Sequence, residues 1–400
     1  MDNNITKSGA SRALFFSTIS FAVSFAVWGL IAALAPKFTE IYKLTATEKS
    51  LLIAIPVLLG SIGRIFAGMA ADRFGGRKVF AALLIFSAIP AVAVGLSTSY
   101  SQLLVFGLLL GVAGTTFPVG VGFTSKWFAP EKQGTALGIY GAGNIGQSIA
   151  VFFAPVLALQ FGDWRTVFFV FAAITFGWGI IFYLFAKDAA VITKPKTLAE
   201  NLSIFKSSKI AWTLALFYFL TFGGFVALAL YLPTLLKELF NLTPTDAGAR
   251  TAGFVILATL MRPVGGILSD KIGGSKVLVV VFGTIAGLAL LLSIPSIIPF
   301  TIGALGCAAA LGLGNGAIFK LVPQYFPKET GTVTGLVGAF GGLGGFFPPI
   351  ELGLVKEMSG NYTIGFVLLA VFAIICLAIN YFSFIRRDDD RIPNGVNAHA

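Results

Sequence analysis

Charge is scarce in this 400-residue chain: Asp, Glu, Lys and Arg together make up only 11% of it, against about a quarter in soluble globular domains. So few charges cannot cover the surfaces of two or three soluble domains, the number this length would otherwise suggest. Cysteine and histidine are scarcer still. Cys307 and Cys376 both fall inside apolar runs, and the single histidine, His399, is in the last two positions. A structural zinc site needs four Cys or His ligands, and a catalytic one usually three protein ligands; neither can be assembled, so no metal or other cofactor is expected. A Ser-His pair would have to borrow its histidine from the end of the chain. No GxxxxGK[ST] phosphate loop is present, so any energy must come from a gradient. These absences argue against an enzyme, a DNA-binding domain and a secreted disulfide scaffold.

Apolar sequence is abundant: 56% of residues are hydrophobic and 47 are glycine. Twelve apolar segments can be read, near 13–36, 51–71, 79–97, 102–124, 134–160, 166–186, 210–233, 251–269, 277–295, 298–319, 331–355 and 362–385. Each is long enough to cross a roughly 30 Å hydrocarbon core as a helix. The short alternating strands of a membrane barrel are not seen. The first segment is too long for a signal-peptide core, despite Ala33-Leu34-Ala35, and reads as the first transmembrane helix.

The net charge of +11 suggests a nucleic-acid surface until its location is read. With alternate loops on opposite sides, the side of the N-terminus holds nineteen Lys and Arg against ten acids, and the other side seven against seven. The positive-inside rule then places both termini in the cytoplasm, in a multi-pass cell membrane protein that contacts the lipid bilayer and no nucleic acid. Trp127, Trp164 and Trp212 fall near segment ends, where an aromatic belt is expected. Two bases remain over, Arg64 and Arg262, and both fall inside apolar segments.

The polar stretch 187–209, with five lysines and Pro195, splits the segments six and six. The halves align. GSIGRIFAGMAADRFGGRK at 60–78 matches TLMRPVGGILSDKIGGSK at 259–276, with Arg64 and Arg262 each eight residues before Asp72 and Asp270, at an offset of 198. PEKQGTALGIYGAG from Pro130 matches PKETGTVTGLVGAF from Pro327 at 197. Two matches at nearly one offset predict an all-α membrane protein of two pseudo-symmetric six-helix bundles: a bundle at 1–186, a cytoplasmic loop at 187–209, a second bundle at 210–385 and a cytoplasmic tail at 386–400. GMAADRFGGRK (68–78) resembles the loop motif of the major facilitator superfamily, and GGILSDKIGGSK (265–276) is its weaker echo. The resemblance covers essentially the whole chain and implies conformational roles for Asp72, Arg73, Arg77 and Asp270.

The buried arginines carry the functional signal. Eight residues of helix rise about 12 Å, which puts Arg64 and Arg262 near mid-membrane, where a charge is costly and usually faces a pore or cavity. No acid lies at that depth; the nearest, Glu351, is toward the outer end of its segment. A substrate anion can supply the missing counter-charge, and arginine's planar fork suits a small planar oxyanion. A purely structural role, bonding backbone carbonyls or water and fixing helix packing, is the competing reading. Asn144, Tyr218 and Phe222 fall at similar depth by the same count, the last two sharing a helix face. They offer an amide and two aromatic walls, or ordinary interhelical packing.

Gly141-x-Gly143-x-x-Gly146 imitates a dinucleotide fingerprint, but that motif needs a strand and a βαβ unit, and here it sits in an apolar segment. Close helix packing explains it, with Gly134 and Gly138, and explains GTVTGLVGAFGGLGGFF at 331–347. Two glycine-rich segments with one arginine in each second helix of a half resemble the NarK-type nitrate/nitrite porters. That resemblance implies a nitrate or nitrite ion between Arg64 and Arg262, with Asn144, Tyr218, Phe222 and the span-4 aromatic Phe117 around it. The family's glycine signatures fall on Gly141, Gly143, Gly146, Gly338, Gly341 and Gly342. It implies a secondary transporter, monomeric, working by alternating access and coupled by proton symport or nitrate/nitrite exchange. A carrier of another small anion such as a monocarboxylate, and an anion channel or sensor, are the alternatives.

Overall fold

A computed structural model describes residues 7–189 and 208–386, with 200, 203 and 206. Lys194, Pro195 and Lys196, most of the rest of 187–209, and the tail beyond Arg386 with His399 lie outside the described residues. Among the described residues, twelve long helices follow one another and no strand occurs. They are α1 (Lys7–Tyr42), α2 (Ala46–Phe74), α3 (Gly76–Gly95), α4 (Tyr100–Ser125), α5 (Pro130–Phe161) and α6 (Trp164–Phe185). After the central segment come α7 (Lys209–Phe240), α8 (Pro244–Ile272), α9 (Gly274–Leu292), α10 (Ile297–Tyr325), α11 (Thr330–Ser359) and α12 (Thr363–Ile385). Eleven are long and apolar enough to cross a membrane. The twelfth, α11, has 30 residues, ample for the crossing, with seven glycines between Gly331 and Gly345. The helices overrun several of the expected apolar segments: α1 starts at Lys7 and ends at Tyr42, past 13–36 at both ends.

The internal repeat is visible in how α2 and α8 begin and end. Thr45 caps α2, accepting from the Glu48 N–H, and Thr243 caps α8, accepting from the Asp246 N–H. A side-chain oxygen at this position satisfies a backbone donor that has no partner within the helix. Each helix is 29 residues long and stops at one glycine, Gly75 at φ 92° and Gly273 at φ 93°. Only glycine adopts that backbone at little cost, so α3 and α9 restart after a single-residue turn.

α1 packs on α5 and α6, α3 on α6, α10 on α8 and α9, and α9 on α12. Two main pairings join the repeats, α2 along α11 and α8 along the first part of α5, with smaller contacts of α10 on α5 and of α11 on α4. The second part of α7, Gly224–Phe240, packs on α8, α10 and α11. The second part of α5, Ile145–Phe161, is buried only at Gly146, Ala150 and Ala154. The repeats thus hold together mainly on the side of the α2–α3 and α8–α9 turns.

Several polar side chains inside the helix assembly pair with one another, as the scarcity of water there favours. Ser17 of α1 bonds Thr124 at 2.8 Å, and Trp178 donates to Ser20 at 2.9 Å. Trp164 departs from the expected belt: it is buried, edge-on to Phe38 with centroids 4.9 Å apart.

Helix contact through glycine is tightest between α1 and α5, where a Cβ on Gly146 would come within 1.8 Å of the Ala22 carbonyl oxygen. Overpacking of this kind costs about 1–3 kcal/mol. Gly146→Ala should therefore lower the thermal midpoint of the detergent-solubilised protein. Gly177→Ala, where a Cβ meets nothing within 4 Å, should hold or raise it.

Candidate functional site

Arg64 and Arg262 stand at the same place in α2 and α8 and are buried, at 1% and 3% exposure. Each reaches across to the glycine-rich helix of the other repeat. Arg64 Nη1 donates to the Gly338 carbonyl on α11 at 2.7 Å, and its Nε to the Gly114 carbonyl on α4 at 3.0 Å. Arg262 Nη1 donates to the Gly141 carbonyl on α5 at 3.0 Å, and its Nη2 to the Tyr218 hydroxyl at 3.4 Å. The two glycines are themselves repeat counterparts, so the arrangement is reciprocal.

The side chains converge on one ring. The Arg64 and Arg262 Cζ atoms lie 5.6 and 5.3 Å from the Phe222 centroid, and Arg64 Cζ lies 5.8 Å from that of Phe117. Neither guanidinium makes an ion pair among the described residues. Carbonyl bonding, which a structural role requires, is present and fixes both side chains. It leaves Arg64 Nη2 and Arg262 Nε without a hydrogen-bond partner among the described residues. Carbonyl dipoles and ring faces stabilise a cation but do not neutralise it, so two like charges remain desolvated together.

Aromatic side chains wall this space. Tyr218 and Phe222 stack at 4.9 Å and 6°, with Phe222 inside a π-helical turn, Phe219–Gly223, that follows Tyr218 directly. Such turns often occur at functional sites. Phe319 of α10 stands edge-on to Phe117 at 4.8 Å and to Tyr218 at 4.6 Å. Tyr140 donates to the Phe117 carbonyl at 3.0 Å and stacks on the Phe21 ring.

Asn144 is buried with Oδ1 unpaired, in a tight 3₁₀ turn, Ala142–Asn144, that interrupts α5 within its glycine motif. A Cβ on Gly143 would crowd the Thr18 carbonyl and Phe21, so Gly143, like Gly146, serves contact with α1. On α11, Gly341 and Gly342 make room for the Tyr218 ring and the Ser61 hydroxyl. The structure thus brings Arg64, Arg262, Phe117, Tyr218 and Phe222 to one place, with Gly141 and Gly338 supplying carbonyls.

Asp72 and Asp270 form a second reciprocal pair, at the ends of α2 and α8. Asp72 accepts from the Gly331 and Thr332 N–H groups at 3.2 and 2.7 Å, and from the Thr332 hydroxyl. Asp270 accepts from Gly134 and Thr135 at 2.9 and 2.6 Å, and from the Thr135 hydroxyl. Each carboxylate thus grips backbone N–H groups near the start of a helix from the other repeat. Those of Gly331 and Thr332 fall in the first turn of α11, where free N–H groups favour an anion, and those of Gly134 and Thr135 one turn further into α5. The other loop-motif bases act elsewhere. Arg77 donates to the Tyr183 carbonyl and, through its N–H, to Asp188, tying α3 to the end of α6. Arg73 lies over Phe74.

Sequence reasoning misses Gly114, Tyr140 and Phe319, which carry no signature within apolar runs. It also counts Lys320 as a loop charge. The structure buries Lys320 inside α10, 2.9 Å from Asp270 and bonded to the Pro130 carbonyl. Lys126 is its looser counterpart, 3.9 Å from Asp72.

Twelve helices in two matched sets, joined by these reciprocal contacts, define a carrier-type helical membrane fold. The family model of the Major Facilitator Superfamily matches residues 16–349 and 232–398, and the chain belongs to that superfamily. It is 40% identical over 363 residues to the nitrite extrusion protein of Bacillus subtilis, covering 90% of this chain and 91% of that one. It is 38% identical to the probable nitrate transporter NarT of Staphylococcus epidermidis, covering 93% and 95%. It is 37% identical to the probable nitrate/nitrite transporter NarK2 of Mycobacterium tuberculosis, covering 92% and 95%. Among solved structures, the Escherichia coli fucose:proton symporter FucP superposes with a TM-score of 0.77 at 16% identity, covering 94% of this chain and 99% of that one.

The two carboxylate contacts make a separable prediction. Asp270→Asn should raise amide hydrogen exchange at Gly134 and Thr135 while leaving Gly331 and Thr332 protected. Asp72→Asn should do the converse.

Proposed function

We propose that this chain is a secondary transporter of nitrate, nitrite or both across the cell membrane, by alternating access. The observation that carries the reading is the pair of buried guanidiniums on one phenylalanine ring, with spare N–H donors and no carboxylate. A small planar oxyanion supplies the missing negative charge and accepts hydrogen bonds from both forks at once. The names of the relatives, all concerned with nitrate or nitrite, support that choice of ion. Asn144 contributes an amide beside the site, and Phe117, Tyr218 and Phe222 contribute ring surfaces that suit a weakly hydrated planar anion. The chemistry is binding and release, with no nucleophile or base engaged, so the protein acts as a carrier and not an enzyme.

The reading assigns the side of the α2–α3 and α8–α9 turns to the cytoplasm and treats 1–186 and 210–385 as two six-helix bundles. They are linked by a cytoplasmic loop at 187–209, with a cytoplasmic tail at 386–400. In this arrangement the Asp72 and Asp270 contacts close the cytoplasmic side. The anion enters from the opposite side and relieves the repulsion between the arginines, and release inward requires both contacts to break as the bundles rock around the midplane site. The glycine faces of α5 and α11 give the bundles smooth surfaces for that motion, and one chain suffices as the working unit. An inside-negative potential opposes anion entry by about 2.3 kcal/mol per charge per 100 mV, so uptake is coupled, to protons or to an outgoing anion.

Binding and flux measurements test this. Arg64→Lys and Arg262→Lys keep the charge and lose the fork, and each should lower nitrate affinity by roughly a hundredfold, about 2.7 kcal/mol. Full affinity in either variant contradicts bidentate recognition. Asn144→Ala should weaken binding by roughly tenfold with expression unchanged. A thermal-shift screen over nitrate, nitrite, formate, chloride and small carboxylates should favour the first two; preference for a carboxylate selects the monocarboxylate reading. Proteoliposome flux with and without a pH gradient distinguishes symport from exchange, and counterflow accumulation distinguishes a carrier from a channel.

A further inference from the structure

We propose that the side-chain amide of Asn315, on α10, is a further hydrogen-bond donor of the anion site, reaching it from the wall between α7 and α8. The inference rests on the anion-carrier reading above and adds a residue to it.

Asn315 is 2% exposed, and both its Nδ2 and its Oδ1 lack a hydrogen-bond partner among the described residues. An interior amide with neither end satisfied is rare in native proteins and calls for an explanation. Its direction supplies one. Leu311, one turn earlier on the same face, meets α7, with its Cδ2 3.3 Å from where a Gly224 Cβ would lie. Phe319, one turn later, meets Tyr218 and Phe117. Residues four apart share a helix face, so Asn315 lies in the row between these contacts. On the neighbouring face, Gly312 and Gly316 press against α8, a Cβ on either coming within 2.2 Å of the Ala258 or Arg262 carbonyl oxygen. Asn315 is therefore aimed between α7, which carries Tyr218 and Phe222, and α8, which carries Arg262.

The chemistry fits the same guest. Nδ2 offers two N–H donors that approach an oxyanion from a direction independent of the two guanidinium forks. An asparagine left unpaired in an apolar wall destabilises the unliganded protein, whereas an anion that accepts from it recovers that cost on binding.

Opposed changes in stability and affinity test the assignment. Asn315→Leu keeps the side chain's size and removes its unpaired polar atoms. The thermal midpoint without anion should hold or rise, while nitrate affinity, measured by calorimetry on the full-length protein in detergent, should fall at least tenfold. Asn315→Asp, which places a negative charge where the anion's oxygen belongs, should lose nitrate binding altogether. Wild-type nitrate affinity in either variant overturns the inference, as does a fall in affinity matched by an equal fall in midpoint in both. A wild type that binds neither nitrate nor nitrite overturns the carrier reading as well. A wild type that binds, with variants that bind equally, overturns this inference alone.

Discussion

The structure depends on a mutual exchange of charged groups for backbone. The cation of each repeat is held by a glycine carbonyl of the other, Arg64 by Gly338 and Arg262 by Gly141. The carboxylate of each repeat is held by backbone N–H groups of the other, Asp72 by Gly331 and Thr332, Asp270 by Gly134 and Thr135. Mid-membrane cations and helix-end anions thus hold the same pairs of helices, α2 with α11 and α8 with α5. Neither charge is cancelled by an opposite charge at mid-depth, which leaves the centre electrostatically unfinished and open to a small anion.

Backbone can serve as the partner because glycine lets it come close. A Cβ on Gly68 would sit 2.0 Å from the Gly331 carbonyl oxygen, and one on Gly266 would sit 2.0 Å from that of Gly134. Lipid tails provide no hydrophobic push between helices, so close packing and interhelical hydrogen bonds hold them together. Replacing these glycines would move α2 and α8 away from the carbonyls and N–H groups that the arginines and aspartates use. Helix packing and charge placement are therefore one constraint.

Much of this is legible in the sequence. The depth of Arg64 and Arg262 follows from counting residues back from Asp72 and Asp270, and the 198-residue offset already pairs them. Tyr218 and Phe222 stack as their spacing implies. Other features leave no trace. Gly114 acts through its carbonyl, which every residue possesses. Phe319 is one of 40 phenylalanines, and only the packing of α10 against α7 selects it. Lys320 reads as a loop charge because it lies near a helix end, and its burial depends on Asp270 of a helix far away in sequence. The π-helical turn at Phe219–Gly223 has no residue signature to announce it.

The two carboxylate grips differ in strength. Lys320 is almost wholly enclosed beside Asp270, whereas Lys126 stands farther from Asp72, with a fifth of its side chain in contact with solvent. Mobile ions weaken exposed pairs far more than enclosed ones. The Asp72 contact between α2 and α11 is therefore the more salt-sensitive of the two, and rising ionic strength weakens it before the Asp270 contact between α8 and α5.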